Sequence, residues 1–268
     1  MFLSLSLASS LVIAIILRFS EGKSRERTVV IASNYIVASG LGIFLSGGDD
    51  ASPGVYGLGI GLGLVFFLAF MLYSKAIKCE GMAGAVTMSR ISLAIPVALS
   101  ISIWGEKPSV WHLVGLVSIV FIILAWEGKI GRFSPLLMSL FVIFGLLDSA
   151  MKFFKMTFPA TDVSFFLVIL FCSAIIWSWG YIILSKKPVH MRDVATGLLL
   201  GIPNFFSFYC LLRALVDIPG YVAFPFKNVG IIILSAIAGF WLFKERLTLK
   251  RTVLVVLGVV AVFLLTTQ

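Results

Sequence analysis

The sequence predicts an all-α polytopic membrane protein: ten transmembrane helices in two inverted five-helix repeats around a central cavity. Three observations carry that expectation. The 268-residue chain is 60% hydrophobic and 12% charged, with a mean hydropathy of +1.11, whereas soluble domains are roughly half apolar and a quarter charged. Its apolar residues fall into ten runs, each close to the ~20 residues that cross a bilayer with all backbone groups satisfied inside the helix. The chain also matches itself at one fixed offset.

The predicted spans are 2–17, 29–46, 55–74, 82–104, 110–126, 135–157, 163–184, 194–215, 220–243 and 252–267. The first lacks a basic start and carries its basic cluster behind it, so it reads as a span and not a cleaved leader. The second holds Asn34 and Tyr35. Gly57, Gly59, Gly61 and Gly63 in the third are of the kind that lets helix backbones approach closely in lipid. Arg90 and Pro96 mark the fourth, which closes on Trp104. The fifth is apolar after His112. In the sixth stand Asp148, Lys152 and Lys155. The seventh is apolar throughout. Pro203, Asn204 and the aromatic run Phe205, Phe206, Phe208 and Tyr209 lie in the eighth, which ends near Arg213. Pro225, Lys227 and Asn228 lie in the ninth, and the tenth is again apolar. Trp104, Trp126, Trp177, Trp179 and Trp241 sit toward span ends, as an interfacial aromatic belt requires. Every connection is short, which leaves no room for an inserted soluble domain.

The net charge of +9 and pI near 9.6 do not indicate a nucleic-acid partner, because no soluble domain exists to carry a basic face. The Lys and Arg residues instead alternate by loop. The odd-numbered loops hold 15 of them and the even-numbered loops only Lys107. By the positive-inside rule the odd loops face the cytoplasm, which puts both termini, and the acidic pair Asp49 and Asp50, outside a bacterial-type cytoplasmic (inner) membrane. Cys79, Cys172 and Cys210 lack metal-ligand spacing and read as inert thiols.

A shift of 139 residues lays Gly105-Glu106-Lys107 on Lys244-Glu245-Arg246, Phe66-Phe67 on Phe205-Phe206, and Gly81 on Gly220. This register divides the chain into repeats 1–130 and 131–268. Five spans per repeat is an odd number, so the second copy enters the membrane from the opposite side. Inverted repeats are the recurrent architecture of secondary transporters.

At these residues the chain resembles the drug/metabolite transporter superfamily, in particular its ten-helix EamA-like branch. The resemblance rests on Trp104-Gly105-Glu106 and Phe243-Lys244-Glu245-Arg246, each closing a fourth helix ahead of a final helix with Gly115 or Gly258. Pro96 and the segment Tyr221-Val222-Ala223-Phe224-Pro225 add to it. It implies alternating access to small metabolites, with metabolite export among the known activities, and tight turns at Glu106 and Glu245. Many members carry their basic loop after the second helix and have cytoplasmic termini; here that loop follows the first.

Six charged residues fall inside the spans: Arg90, Asp148, Lys152, Lys155, Arg213 and Lys227. Charge at bilayer depth is costly, so such residues face a cavity or a partner. Arg90 and Lys227 stand 16 and 18 positions before the repeated Glu residues, at nearly corresponding levels. As substrate-binding candidates they suit an anionic group, Arg90 as a fork and Lys227 as a point charge. The alternative is neutralisation by carbonyls or a carboxylate. Asp148 is the sole acid within a span and the candidate for a coupling proton; paired with Lys152 at i,i+4 it is instead a structural ion pair. Lys155 and Arg213 are expected to snorkel. Asn34, Tyr35, Asn204 and Asn228 are further substrate-contact candidates, with helix–helix hydrogen bonding as the alternative. Pro96, Pro203 and Pro225 are hinge candidates, or simple kinks. The aromatic run reads as cavity wall or as packing. Glu106 and Glu245 are expected to cap the helix that follows each.

No nucleophile–base constellation, phosphate-cradling loop, metal cluster or cofactor motif is present, which argues against an enzyme. The leading expectation is a secondary transporter of a small polar metabolite, with protons as a coupling-ion candidate and the lipid bilayer as surroundings. A flippase-like carrier of an amphiphile is the alternative, and a membrane-embedded enzyme or sensor ranks below both.

Overall fold

In the computed structural model, which describes residues 1–20, 26–48, 52–127, 134–244 and 248–266, every regular element among the described residues is helical. The helices are α1 (Phe2–Ser20), α2 (Arg27–Leu45), α3 (Pro53–Glu80), α4 (Met82–Ile91), α5 (Ala94–Ser102), α6 (Val110–Glu127), α7 (Pro135–Thr157), α8 (Val163–Leu184), α9 (Met191–Ala214), α10 (Gly220–Phe243) and α11 (Leu249–Thr266). Eight segments, α1, α2, α3, Gly84–Ser102, α7, α8, α9 and α10, are long and apolar enough to cross a membrane; α6 and α11 contribute shorter apolar stretches. The chain is a helical multi-pass membrane protein. Lys23, Arg25, Asp49, Asp50, Lys129, Arg132, Glu245, Arg246 and Gln268, on which part of the loop and turn expectations rest, lie outside the described residues.

The predicted span 82–104 is two helices. Pro96, in the first turn of α5, has no N–H to give Ser92, and its ring crowds that carbonyl, so a continuous helix fails there. The chain turns through Ser92 and Leu93 on shorter-range bonds, Leu93 N–H to Arg90 O at 3.3 Å and Ile95 N–H to Ser92 O at 3.0 Å. Pro203 and Pro225 lie inside α9 and α10, which run on through them.

The helices form two compact units. Unit 1 comprises Met1–Leu68 and Phe153–Ala214, unit 2 Ala69–Lys152 and Leu215–Gln268. These packing units interleave along the sequence and so differ from the halves 1–130 and 131–268, which describe chain order.

In unit 1, α2 packs on α8 and α9, and α1 on α9. Lipid supplies no hydrophobic drive between helices, so close backbone approach and interhelical hydrogen bonds must hold them. Gly197 and Gly201, four apart on one face of α9, meet α2. A Cβ at Gly197 would come 2.6 Å from Ser33 Cβ, and one at Gly201 would come 2.6 Å from Asn34 O. Gly59 and Gly63 do the same for α3 on α8: a Cβ would lie 2.8 Å from Ile169 Cγ2 and 2.6 Å from Leu170 O, respectively. Both pairs advance in step with their partners, so these helices run parallel. Gly57 and Gly61 are exposed with nothing within 4 Å of an added Cβ; the expected glycine packing belongs to one face of α3 only. The Ser6 hydroxyl donates to Ser207 O at 2.7 Å, tying α1 to α9.

In unit 2, α6 packs on α11 and α10 on α5 and α11. Leu93, Ile119, Ile122, Ile123, Val229, Leu254 and Ala261 form its main apolar core. Ala76, Ala85, Met88, Leu137 and Leu140 join α3, α4 and α7. Gly145 lets α7 press against α5, where a Cβ would come 2.7 Å from Ile95 Cβ.

Candidate functional site

The charged residues of unit 2 collect around α10. Arg90 is in the last turn of α4, just before the break that Pro96 imposes, and its Nη1 donates to Asn228 Oδ1 at 3.3 Å. Asn228 in turn donates its Nδ2 to Phe224 O, one turn back on α10, at 3.0 Å. That bond fixes the amide orientation, so its oxygen faces the guanidinium. Asp148, midway along α7, lies in the electrostatic field of Lys227 and Arg90. All four residues are half-buried. Lys227 is seven residues into α10, about 10 Å from its start at 1.5 Å per residue. The structure thus brings together four of the predicted site residues, Arg90, Lys227, Asn228 and Asp148, from three helices.

The Asp148–Lys152 pair expected from i,i+4 spacing is replaced by a longer-range one. Lys152 is 2% exposed and closes on the carboxylate of Glu106, which is 17% exposed. The same carboxylate accepts the Gly220 and Tyr221 amides at 3.0 and 3.4 Å, and the Trp104 ring lies 5.3 Å from Lys152 Nζ. Glu106 therefore caps α10 and not the helix that follows it. Two orphan amides at a positive helix end and one ammonium offer it more than the α6 terminus does. As α7 advances from Asp148 to Lys152, its partners on α10 recede from Lys227 to Gly220, so α7 and α10 run antiparallel. The same holds for α4–α5: Arg90 meets Asn228, and a Cβ on Gly220 would strike Ser100.

The remaining substrate-contact candidates lie in unit 1. Asn204 Nδ2 donates to Asn34 Oδ1 at 2.8 Å, joining α9 to α2, and Tyr35 stacks on Phe171 with centroids 5.8 Å apart. Phe205 stacks on Tyr209 at 5.6 Å, and Phe208 meets Phe66 and Phe171, so this stretch of the aromatic run packs against its neighbours. Lys155 does not snorkel: it is buried and donates to Pro159 O at 3.5 Å. Arg213 is exposed and bonds Tyr209 Oη at 3.3 Å. Among the described residues no three His, Cys, Asp or Glu side chains group as metal ligands.

Outside the spans, Glu26 links α2 to the loop before α9. It accepts Thr28 Oγ1 at 2.9 Å and Lys187 Nζ at 3.2 Å, and its own amide donates to Asp193 Oδ2 at 3.1 Å. Burial pushes the Glu26 carboxyl up, but the bonds from Thr28 and Lys187 and the Lys187 charge outweigh it and hold the group below the usual range.

No family model matches the chain. A protein of Haemophilus influenzae, described as an uncharacterized protein, is 25% identical to it over 287 residues, covering 96% of this chain and 94% of that one. A crystal structure of another protein matches the fold with a TM-score of 0.80 at 18% identity, over 99% of this chain and 98% of that one. The fold is therefore that of a solved structure.

Sequence reasoning missed Glu106 as the partner of Lys152, Trp104 as the ring beside its ammonium and His112 as a capping group. His112 Nδ1 accepts the Ser109 amide at 3.0 Å at the start of α6, and its ring meets Tyr221 edge-on at 5.2 Å. A signal for the last was present: Ser109 stands three residues before His112, at the spacing of a helix-start cap.

Proposed function

We propose that this protein is a secondary transporter that moves a small polar metabolite bearing an anionic group across the cytoplasmic membrane by alternating access. The observation that carries the reading is the cluster of Arg90, Lys227, Asp148 and Asn228 at mid-helix depth. Four polar groups, three of them chargeable, are expensive inside a bilayer and are retained where a substrate or ion pathway needs them. The cations outnumber the acid by two to one, and Arg90 presents the planar fork that suits a carboxylate or phosphate.

The architecture of this reading is ten crossings in two inverted repeats around a central cavity. Several features support it. The register that aligns Gly105 with Lys244 aligns two left-handed residues, with φ of 66° and 53°. The four-spaced glycines of α3 and α9 stand within one residue of the same register, and each pair seats its helix on a parallel neighbour. The fourth-span segment α4–α5 and its repeat mate α10 run antiparallel, as inversion demands, and α2 and α8 do likewise, Val29 meeting Ile182 and Gly42 meeting Val168. Arg90 meets Asn228 at nearly equivalent repeat positions. Such a meeting is what residues beside a two-fold axis would make. Charge counting places the basic odd-numbered loops in the cytoplasm and both termini outside.

The test is binding. Purified protein is screened with small carboxylates and phosphate esters for thermal stabilisation, then the hit is titrated by calorimetry. Arg90→Gln or Lys227→Gln weakens binding of the hit ten- to a hundredfold, since a charge-assisted contact contributes about 1.5–3 kcal/mol. If no anion stabilises the protein, or both variants bind the hit normally, the reading fails.

A further inference from the structure

We propose that the start of α10 is a binding site for an oxyanion head group with three terminal oxygens, a sulfonate or phosphate ester, and that the Glu106 carboxylate is its tethered, exchangeable occupant. The site uses none of Arg90, Lys227, Asp148 and Asn228, so it stands or falls apart from the transport reading above. Of the four amides that a helix start leaves without an intrahelical partner, Val222 and Ala223 give theirs to Pro219 O at 3.0 and 2.9 Å. Gly220 and Tyr221 give theirs to the Glu106 carboxylate at 3.0 and 3.4 Å. Two such amides at the positive end of a helix form an anion cradle. Lys152, its side chain 2% exposed, adds an ammonium. Ser100 adds a hydroxyl: the residue is 0% exposed, and its Oγ is buried with no hydrogen-bond partner among the described residues. That hydroxyl faces the same spot, because a Cβ on Gly220 would strike Ser100 Oγ and come 2.8 Å from Lys152 Nζ. Only a bare Cα lets hydroxyl and ammonium approach the helix start this closely.

The present occupant does not match these donors. A carboxylate is planar and has two oxygens: Oε1 takes Lys152 and Gly220, Oε2 takes Tyr221, and Ser100 is left over. A buried hydroxyl without a partner is costly. A tetrahedral head group places a third oxygen out of the carboxylate plane, where Ser100 can donate to it. Stability alone does not call for the arrangement, since a buried ion pair is often no better than well-packed apolar side chains of the same volume. Glu106 is also placed to leave. Its side chain is 17% exposed where that of Lys152 is 2%, and it lies on the short segment between α5 and α6. The Glu106 amide meanwhile donates to Ser100 O at 3.1 Å, so the backbone stays anchored when the carboxylate swings out.

The experiment compares methanesulfonate with acetate, two methyl-bearing monoanions that differ chiefly in oxygen count, on the full-length protein at constant ionic strength. In Glu106→Ala both raise the melting temperature saturably. Methanesulfonate reaches half its effect at a concentration about tenfold or more below that of acetate, as one further hydrogen bond to a charged group requires. Adding Ser100→Ala erases that preference and adding Lys152→Met abolishes both effects, whereas adding Arg90→Gln changes neither. Glycerophosphate and a short-chain phosphatidic acid, tested in the same way, separate a soluble head group from a lipid one; stabilisation by either that is lost in Lys152→Met supports the site and names the source. The native chain decides the matter even if Glu106→Ala does not fold. There, carbodiimide coupling of an amine to Glu106, read by peptide mass spectrometry, is slow in chloride and rises severalfold in methanesulfonate as the carboxylate is displaced. Equal action of methanesulfonate and acetate, a preference that survives Ser100→Ala, stabilisation by neither phosphate compound, or unchanged coupling at Glu106 overturns the proposal and leaves the reading of Arg90 and Lys227 standing.

Discussion

Lys152 stands four residues after Asp148 on one face of α7, yet its ammonium closes on the carboxylate of Glu106, far away in sequence. An i,i+4 pair on an isolated helix contributes only about 0.2–0.5 kcal/mol. Glu106 also satisfies two amides at the start of α10, so tertiary pairing wins. Glu106→Gln should strand a buried ammonium and lower unfolding stability by about 3–5 kcal/mol. Adding Lys152→Met should recover most of that loss. Equal melting of Glu106→Gln and the native chain in detergent would contradict the pairing.

The face of α3 that packs on α8 makes a sharp contrast available. Gly63→Ala must move Leu170 O, only 2.6 Å from the added Cβ, and should cost about 1–3 kcal/mol by overpacking. Gly61→Ala adds a methyl where nothing lies within 4 Å and should leave melting unchanged or slightly raised. The same ranking is read from thermal melting of the two variants side by side.

Asn34 and Asn204 join α2 to α9 by a single 2.8 Å bond. Hydrogen bonds of this kind contribute about 0.6 to 1.7 kcal/mol in membrane bundles. Each alanine variant should lose roughly that much, and the double variant should lose less than the sum of the two singles. A double-mutant cycle by unfolding measures it; full additivity would show that the amides act independently.

The Glu26–Lys187 contact is pH-sensitive in a stated direction. The folded-state carboxyl is held below its unfolded value of 4.5, so its stabilisation is fully present above pH 4.5 and is lost as pH falls through the folded value. Native protein should therefore lose a small part of its stability in that acid window, and Glu26→Gln should show a flatter profile there. Because the pair is partly exposed, raising the salt concentration should shrink the difference between the two.

Much of the helical layout was legible in the sequence, because in a bilayer each span must satisfy its own backbone and so announces itself as an apolar run. The break at Ser92 and Leu93 was partly legible: Pro96 signalled a disturbance, but hydropathy is continuous across it, so 82–104 read as one span. The charged cluster was legible for the same reason as the spans, since Arg90, Asp148 and Lys227 stand out against apolar neighbours. Their partners were not. Asn228 Oδ1 facing Arg90 depends on the meeting of α4 with α10, and Glu106 reaching Gly220 spans 114 residues. Local spacing rules see neither. The glycines of α3 show the same limit: all four look alike in sequence, and only the position of α8 separates Gly59 and Gly63 from Gly57 and Gly61.

The most direct test of the central claim is flux. Protein reconstituted into liposomes, with the calorimetric hit as radiolabelled substrate and an inward proton gradient imposed, should accumulate the anion above empty liposomes. Arg90→Gln and Lys227→Gln should reduce the initial rate at least tenfold. Flux indistinguishable from empty liposomes, or undiminished in both variants, would contradict the account.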